Sequence, residues 1–225
     1  MTPFLRQPEP PFWNTKEEKW LNPAPARRER DPLNKWVHDK LTLGAWFRKL
    51  VRATDEPHMC AYCDGSLMEQ SRETIDHFLP CNEFPELTLS WWNLFPACDR
   101  CNSTYKRTRW SCRLVRPDTD PVETYFDLDE TSGWLRPRAG LDWATRVDVR
   151  LTIHVFRLND SHRCAGRKRV LNEMRNAWKA DATTGARDRP TLKERAALGP
   201  YRFVARRFLE AVPASTRDVG SPSPA

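Results

Sequence analysis

Two Cys-x-x-Cys pairs, Cys60/Cys63 and Cys98/Cys101, bracket the dipeptide Asp76-His77, and Asn102 follows the last cysteine directly. Four thiolates satisfy tetrahedral zinc, and a two-residue spacer lets both sulfurs of a pair face one ion. The 34 residues between Cys63 and Cys98 exceed the spacing of a simple finger, so the clasp encloses an inserted unit. A closed four-sulfur site has no open position, so zinc there is structural and contributes folding energy. The chemistry then falls to the insert. An imidazole titrating near ~6.5 can take a proton from an attacking water at neutral pH, which suits His77 to a general base. Asp76 and Asn102 are hard oxygen donors that, with phosphate oxygens, suit Mg²⁺ or Mn²⁺, and Asn93 could fix the His77 ring by accepting from its other nitrogen. On a strand Asp76 and His77 point to opposite faces, so they serve one reaction only at the strand's edge, where a helix meets it. The other thiols, Cys81, Cys112 and Cys164, read as ordinary free cysteines.

The chain has 225 residues, long enough for a buried core in one domain or two small ones. It is 39% hydrophobic and 30% charged, with 19 prolines against 8 glycines, so most of it should fold while some stretches cannot be helical. Met1-Thr-Pro-Phe-Leu-Arg-Gln-Pro has no apolar leader core, and nowhere is there a run of about 18 apolar residues, so a cytoplasmic protein with no membrane partner is expected. In a reducing compartment paired Cys-x-x-Cys motifs indicate metal rather than disulfides. The net charge is +7, concentrated in two places. Residues 157–210 hold fourteen basic against six acidic residues, and residues 99–116 hold six (Arg100, Lys106, Arg107, Arg109, Arg113, Arg116) against one. Such clusters beside a zinc clasp favour a polyanion, with Lys106, Arg107, Arg109, Arg167 and Arg169 as the expected nucleic-acid contacts. The bland reading is a set of solvated helix faces.

Four segments are expected. Residues 1–33 carry seven prolines with embedded aromatics, an extended arm that packs either on its own domain or on a partner. Residues 34–116 form the zinc-stapled core, led by a helix over about 33–53 on which Trp36, Leu43, Phe47 and Leu50 recur at helical spacing. Within the core the order is a strand over 73–80, a loop, a strand over 91–95 and a helix over 99–107. Residues 117–212 form a hairpin around Asp129-Glu-Thr-Ser-Gly133 and a basic helical region. Residues 143–158 fit both a strand alternation and a helical stripe; helix is favoured because Asp142 can cap it. Helices are expected over 161–182, with Arg163, Arg167, Arg169 and Arg175 at polar positions, and over 191–212, broken or bent near Gly199-Pro200. The tail 213–225 is expected to be disordered.

Asp76-His77, Asn93 and Asn102, braced by the four cysteines, resemble the ββα-metal fold of HNH endonucleases in the variant ending in Asn. That resemblance implies an α+β class, with a ββα-metal core surrounded mainly by helices. It also implies His77 as general base, Asn93 as the residue that orients it, and Asp76 and Asn102 as ligands of the catalytic cation. The longer strings Cys-Ala-Tyr-Cys, Ile-Asp-His-Phe-Leu-Pro and Trp-Trp-Asn-Leu-Phe-Pro-Ala-Cys-Asp-Arg-Cys-Asn are similar to the PtuB-like HNH subunits of Septu and retron-associated anti-phage systems. This narrower resemblance implies a nucleic-acid substrate, DNA favoured over a structured RNA, and an ATPase subunit as partner. One departure is Cys81-Asn82, where such relatives carry a lysine; a phosphate-holding role would then fall to Lys106, Arg107 or Arg109. The rival reading is a zinc-stapled binding module that keeps the fold without the chemistry.

Overall fold

The computed structural model describes residues 1–6, 8–10, 13, 37–38, 41–42, 45, 58–67, 73–184 and 189–212. Its centre is an antiparallel pair, β3 (Glu73–His77) and β4 (Leu94–Cys98), with Asp76 opposite Phe95 and His77 opposite Leu94. β4 is buried along its whole length, which explains its unbroken apolar run Leu-Phe-Pro-Ala-Cys, and Pro96 is tolerated because the sheet has two strands. The second strand therefore lies three residues beyond the expected 91–95. Trp91–Asn93 instead form a 3₁₀ turn, since Asn93 is drawn inward by its side-chain bonds.

A helix follows at Arg100–Lys106, as expected, but it is wound as a π-helix and closed by an Arg107 N to Asn102 O bond of 2.7 Å. The wider turn puts residues four apart nearly in line, so Asn102 and Lys106 both face β3. Before β3, a short knuckle is held by bonds from Cys60 N to Gly65 O and from Asp64 N to Cys60 O, each 2.9 Å. Ala61 N donates to Pro96 O (2.9 Å), which fastens the knuckle to β4. Upstream, Val37–His38 (β1) and Leu41–Thr42 (β2) pair antiparallel, correcting the expected leading helix at those positions. Val and Thr are β-branched and favour strands there. Trp36, Phe47 and the rest of that expectation lie outside the described residues, as does the tail.

After the core come a single turn, α1 (Val122–Tyr125), and the expected hairpin of β5 (Phe126–Asp129) and β6 (Trp134–Pro137). Gly133 has φ +76, and a Cβ there would meet the Cys164 carbonyl at 2.5 Å, so the turn requires glycine. Residues 143–155 are helical: α2 (Trp143–Val155) is capped by Asp142, whose side chain accepts from Thr145 N at 3.0 Å. Packing of Val149, Thr152 and Val155 outweighs the β-branched content. α3 (Ser161–Thr184), α4 (Arg189–Leu198) and α5 (Arg202–Ala211) complete the chain, with the break at 199–201 as expected.

One apolar core joins these parts. Phe95 packs on Phe4, Tyr62 and Phe78, with ring centroids 5.5 to 5.8 Å apart, and Tyr62 stacks on Phe156 at 4.2 Å. The described part of the arm lies on this core. Phe4 meets Phe95, Arg6 pairs with Asp118 at 2.8 Å, and Trp13 packs edge-on against Trp91. Asp64 ties the knuckle to α5: its carboxylate accepts from Thr2 Oγ1 (2.5 Å), Arg202 Nε (3.1 Å) and Phe203 N (3.1 Å), capping that helix. No helix among the described residues is long and apolar enough to cross a membrane.

Candidate functional site

Cys60, Cys63, Cys98 and Cys101 converge as the spacing predicts. Their sulfurs lie within 4.8 Å of one another, and all four residues are buried. Cys63 and Cys98 Sγ are 3.9 Å apart, far from the ~2.05 Å of a disulfide and close to the edge, about 3.8 Å, of a tetrahedron with ~2.3 Å zinc–sulfur bonds. The donor set and spacing fit zinc. Hydrogen bonds from its neighbours, Cys101 first, pull Cys63 and Cys98 below the usual thiol value, while burial pushes Cys60 and Cys101 above it.

The strand and π-helix bring the remaining residues together. Asp76 faces the π-helix with Thr74, while His77 points from the other face near the end of β3. The Asp76 carboxylate is buried and accepts from Tyr62 OH (2.5 Å) and from Lys106 Nζ (3.1 Å). Burial raises its pKa, and Lys106 and Tyr62 oppose the shift. Burial, reinforced by Asp76, also holds the Tyr62 phenol well above its usual value, so it remains a donor. Asn102 Nδ2 donates to Thr74 Oγ1 and Ile75 O, each at 3.1 Å, which pins its carboxamide to the same face of β3 as Asp76. An ionised carboxylate has about four acceptor positions, and Tyr62 and Lys106 take two of those of Asp76.

His77 Nε2 lies 2.8 Å from the carbonyl oxygen of Thr88. A carbonyl only accepts, so Nε2 carries a proton, and in the neutral ring the lone pair is on Nδ1. The His77 backbone is also held, its oxygen accepting from Lys106 Nζ at 2.6 Å. Here the structure corrects the expected role of Asn93. Its carboxamide does not bond the ring; it accepts from Leu79 N (2.8 Å) and donates to Leu79 O (3.0 Å) and Leu87 O (3.1 Å). Asn93 thereby fixes the 79–88 loop, and the loop's Thr88 carbonyl fixes His77.

The basic residues divide. Arg107 and Arg109 are exposed at the end of the π-helix, and Arg169 is exposed on α3 beside Glu173. Lys106 and Arg167, expected at the nucleic-acid surface, are buried instead. Lys106 is consumed by Asp76 and the His77 carbonyl. Arg167 donates to the carbonyls of Gly133 (2.7 Å) and Leu158. On α3 the apolar stripe of Val170, Met174 and Trp178 continues backward at helical spacing through Arg167 and Arg163, a signal that these two face inward. Three contributors go beyond the residues that the sequence singles out. Tyr62 is visible inside Cys-Ala-Tyr-Cys, whereas Thr88 acts through its backbone and leaves no residue-type signal. Arg163 is the third.

Comparison with known proteins agrees with this geometry. Residues 60–108 match the family model of the HNH endonuclease. Over 88 residues the chain is 38% identical to the Septu protein PtuB of Bacillus thuringiensis, an alignment covering 38% of this chain and 34% of that protein. The match thus spans about a third of the relative's length. Residues 60–108, the knuckle, the β3–β4 pair and the π-helix, are an HNH endonuclease domain, and across it the chain is PtuB-like.

Proposed function

We propose that this chain is a metal-dependent HNH endonuclease that hydrolyses phosphodiester bonds, with DNA as its favoured substrate. We further propose that it is the nuclease subunit of an anti-phage defence complex with an ATPase partner. The observation that carries the catalytic reading is the His77–Thr88 contact, which directs the protonated nitrogen into the protein and gives Nδ1 the basic role. His77 takes the proton of the attacking water there. Asn93 acts at one remove, by fixing the loop whose carbonyl holds the ring. Asp76 and Asn102 are the residues that would hold Mg²⁺ or Mn²⁺, which supplies Lewis-acid stabilisation of charge on the phosphate and the leaving oxygen. Lys106 keeps the β3 end rigid by gripping Asp76 and the His77 carbonyl. Exposed Arg107 and Arg109 adjoin the π-helix, where they can meet substrate phosphates. The defence role rests on the likeness to Septu PtuB, and the ATPase partner on what the motif resemblance to PtuB-like HNH subunits implies.

The test is to purify the protein together with the product of its neighbouring gene and incubate the complex with plasmid DNA and with total RNA, with Mg²⁺, Mn²⁺ or chelator. Metal-dependent nicking or linearisation of the plasmid is expected. Cleavage of RNA alone would transfer the activity to RNA, and intact substrates under every condition would leave the zinc-stapled binding module as the correct reading.

A further inference from the structure

The buried cluster of four thiols has a cationic neighbour from outside the family-matched segment. Arg163, in the first turn of α3, is 0% exposed, and its Nη2 lies 3.0 Å from Cys101 Sγ and 4.0 Å from Cys98 Sγ. Nη1 donates to the carbonyls of Phe156 and Arg157, so the guanidinium bridges the sulfurs and the end of α2. It lies over the Tyr105 ring, 5.1 Å from the centroid, and Tyr105 OH donates to Asp160 at 3.0 Å. Nε is buried without an acceptor.

A buried guanidinium needs a counter-charge, because removing an unpaired ion from water costs several kcal/mol, about 3–5 when one partner of a buried pair is lost. Arg163 donates to two neutral carbonyls and to sulfur, and lies over an aromatic ring. The Asp160 carboxylate, held by Tyr105 OH, also acts on the guanidinium through space, but the four sulfurs are the larger counter-charge. The charge balance is therefore chiefly between Arg163 and the cysteines. Four thiolates around a divalent zinc carry two excess negative charges in a dry environment, and one guanidinium at hydrogen-bond distance relieves half of that. N–H donation to a ligating sulfur also fixes the direction of its lone pairs, as outer partners do at metal sites generally.

We propose that Arg163 is a positioning residue of the zinc centre, neutralising and orienting the Cys101 and Cys98 thiolates. Zinc loading and the docking of α3 onto the HNH domain are then one linked event. The proposal rests on zinc as the occupant of the four-cysteine cluster. It gives the region after residue 108 a defined role, which is to supply the positive charge that buries against the domain's zinc-binding sulfurs.

The test compares the full-length wild type with Arg163→Met and Arg167→Met, measuring zinc affinity by chelator competition and the ¹¹³Cd NMR shift of the cadmium-loaded proteins. Arg167 is a matched control, one turn further along α3, likewise buried and bonded to carbonyls but not to the four sulfurs. Arg163→Met should lose about 10- to 100-fold in zinc affinity and move the ¹¹³Cd resonance. Arg167→Met should leave the ¹¹³Cd resonance at the wild-type value and lose only as much zinc affinity as its loss of fold stability accounts for, less than Arg163→Met, and Arg163→Lys should recover part of the affinity. Equal affinities and unshifted resonance in Arg163→Met would overturn the proposal. If that variant does not fold, cadmium-loaded wild type decides: coupling between ¹¹³Cd and an arginine guanidinium proton supports the contact, and its absence overturns it. A wild type that binds no zinc at all would instead refute the zinc reading beneath it.

Discussion

Asp76→Asn is the substitution whose cost the structure defines most sharply. The Asp76 and Lys106 side chains are 3% and 0% exposed, and their N–O distance is 3.1 Å. Asparagine keeps the shape and can still accept from Tyr62 through its one oxygen, which leaves its NH₂ facing Lys106, so the lost quantities are one negative charge and the acceptor of Lys106. Lys106 then retains only the His77 carbonyl, an incomplete partner for a buried ammonium. Breaking a buried pair from one side costs about 3–5 kcal/mol, whereas replacing both ions by neutral groups of similar volume is near neutral or stabilising. The expected cycle is therefore strongly non-additive. Asp76→Asn and Lys106→Met should each lose about 3–5 kcal/mol, and the double variant should recover most of it. Urea unfolding of the zinc-loaded proteins measures each loss, with the m-value checked for constancy. Additive losses, or a cost below about 1 kcal/mol for Asp76→Asn, would refute the idea that these charges support one another.

Three further outcomes are expected. Cys98→Ser should purify with less zinc and unfold at a lower temperature, measured by metal analysis and calorimetry; a normally melting, zinc-free protein would contradict a structural metal. Gly133→Ala should destabilise by at least about 1 kcal/mol in urea, because φ is +76 and the Cys164 carbonyl blocks the new methyl; an unchanged midpoint would contradict it. Hydrogen bonds from Thr145 hold the Asp142 carboxyl below the ordinary aspartate range, so its support of α2 is present above the unfolded-state value and is lost as pH falls through the folded one. Helical circular dichroism of Asp142→Ala should accordingly differ from wild type at neutral pH and converge with it in strong acid; a gap that persists in acid would contradict the cap.

The cysteine clasp, the Asp76-His77 strand and the Asp142-capped helix are legible in the sequence because each is written locally, in a spacing, an alternation or a capping residue. The second strand is not, because Trp91 and Trp92 look like strand residues while the true strand contains Pro96. What decides the matter is that Asn93 turns inward to bond the 79–88 loop, a contact no local pattern encodes. Lys106, Arg163 and Arg167 mislead for a related reason. A basic residue in a charged segment is ordinarily solvated, and only a partner distant in sequence, Asp76, Cys101 or Gly133, offsets the cost of burying it. Thr88 is further out of reach, since its contribution is a carbonyl that any residue would supply.

The most direct test of the central claim is single-turnover cleavage by His77→Ala beside wild type, with zinc content and melting temperature measured on the same preparations. The variant should fold, keep its zinc and bind nucleic acid, while metal-dependent cleavage disappears. Cleavage at the wild-type rate by a folded His77→Ala protein would contradict the general-base role of His77.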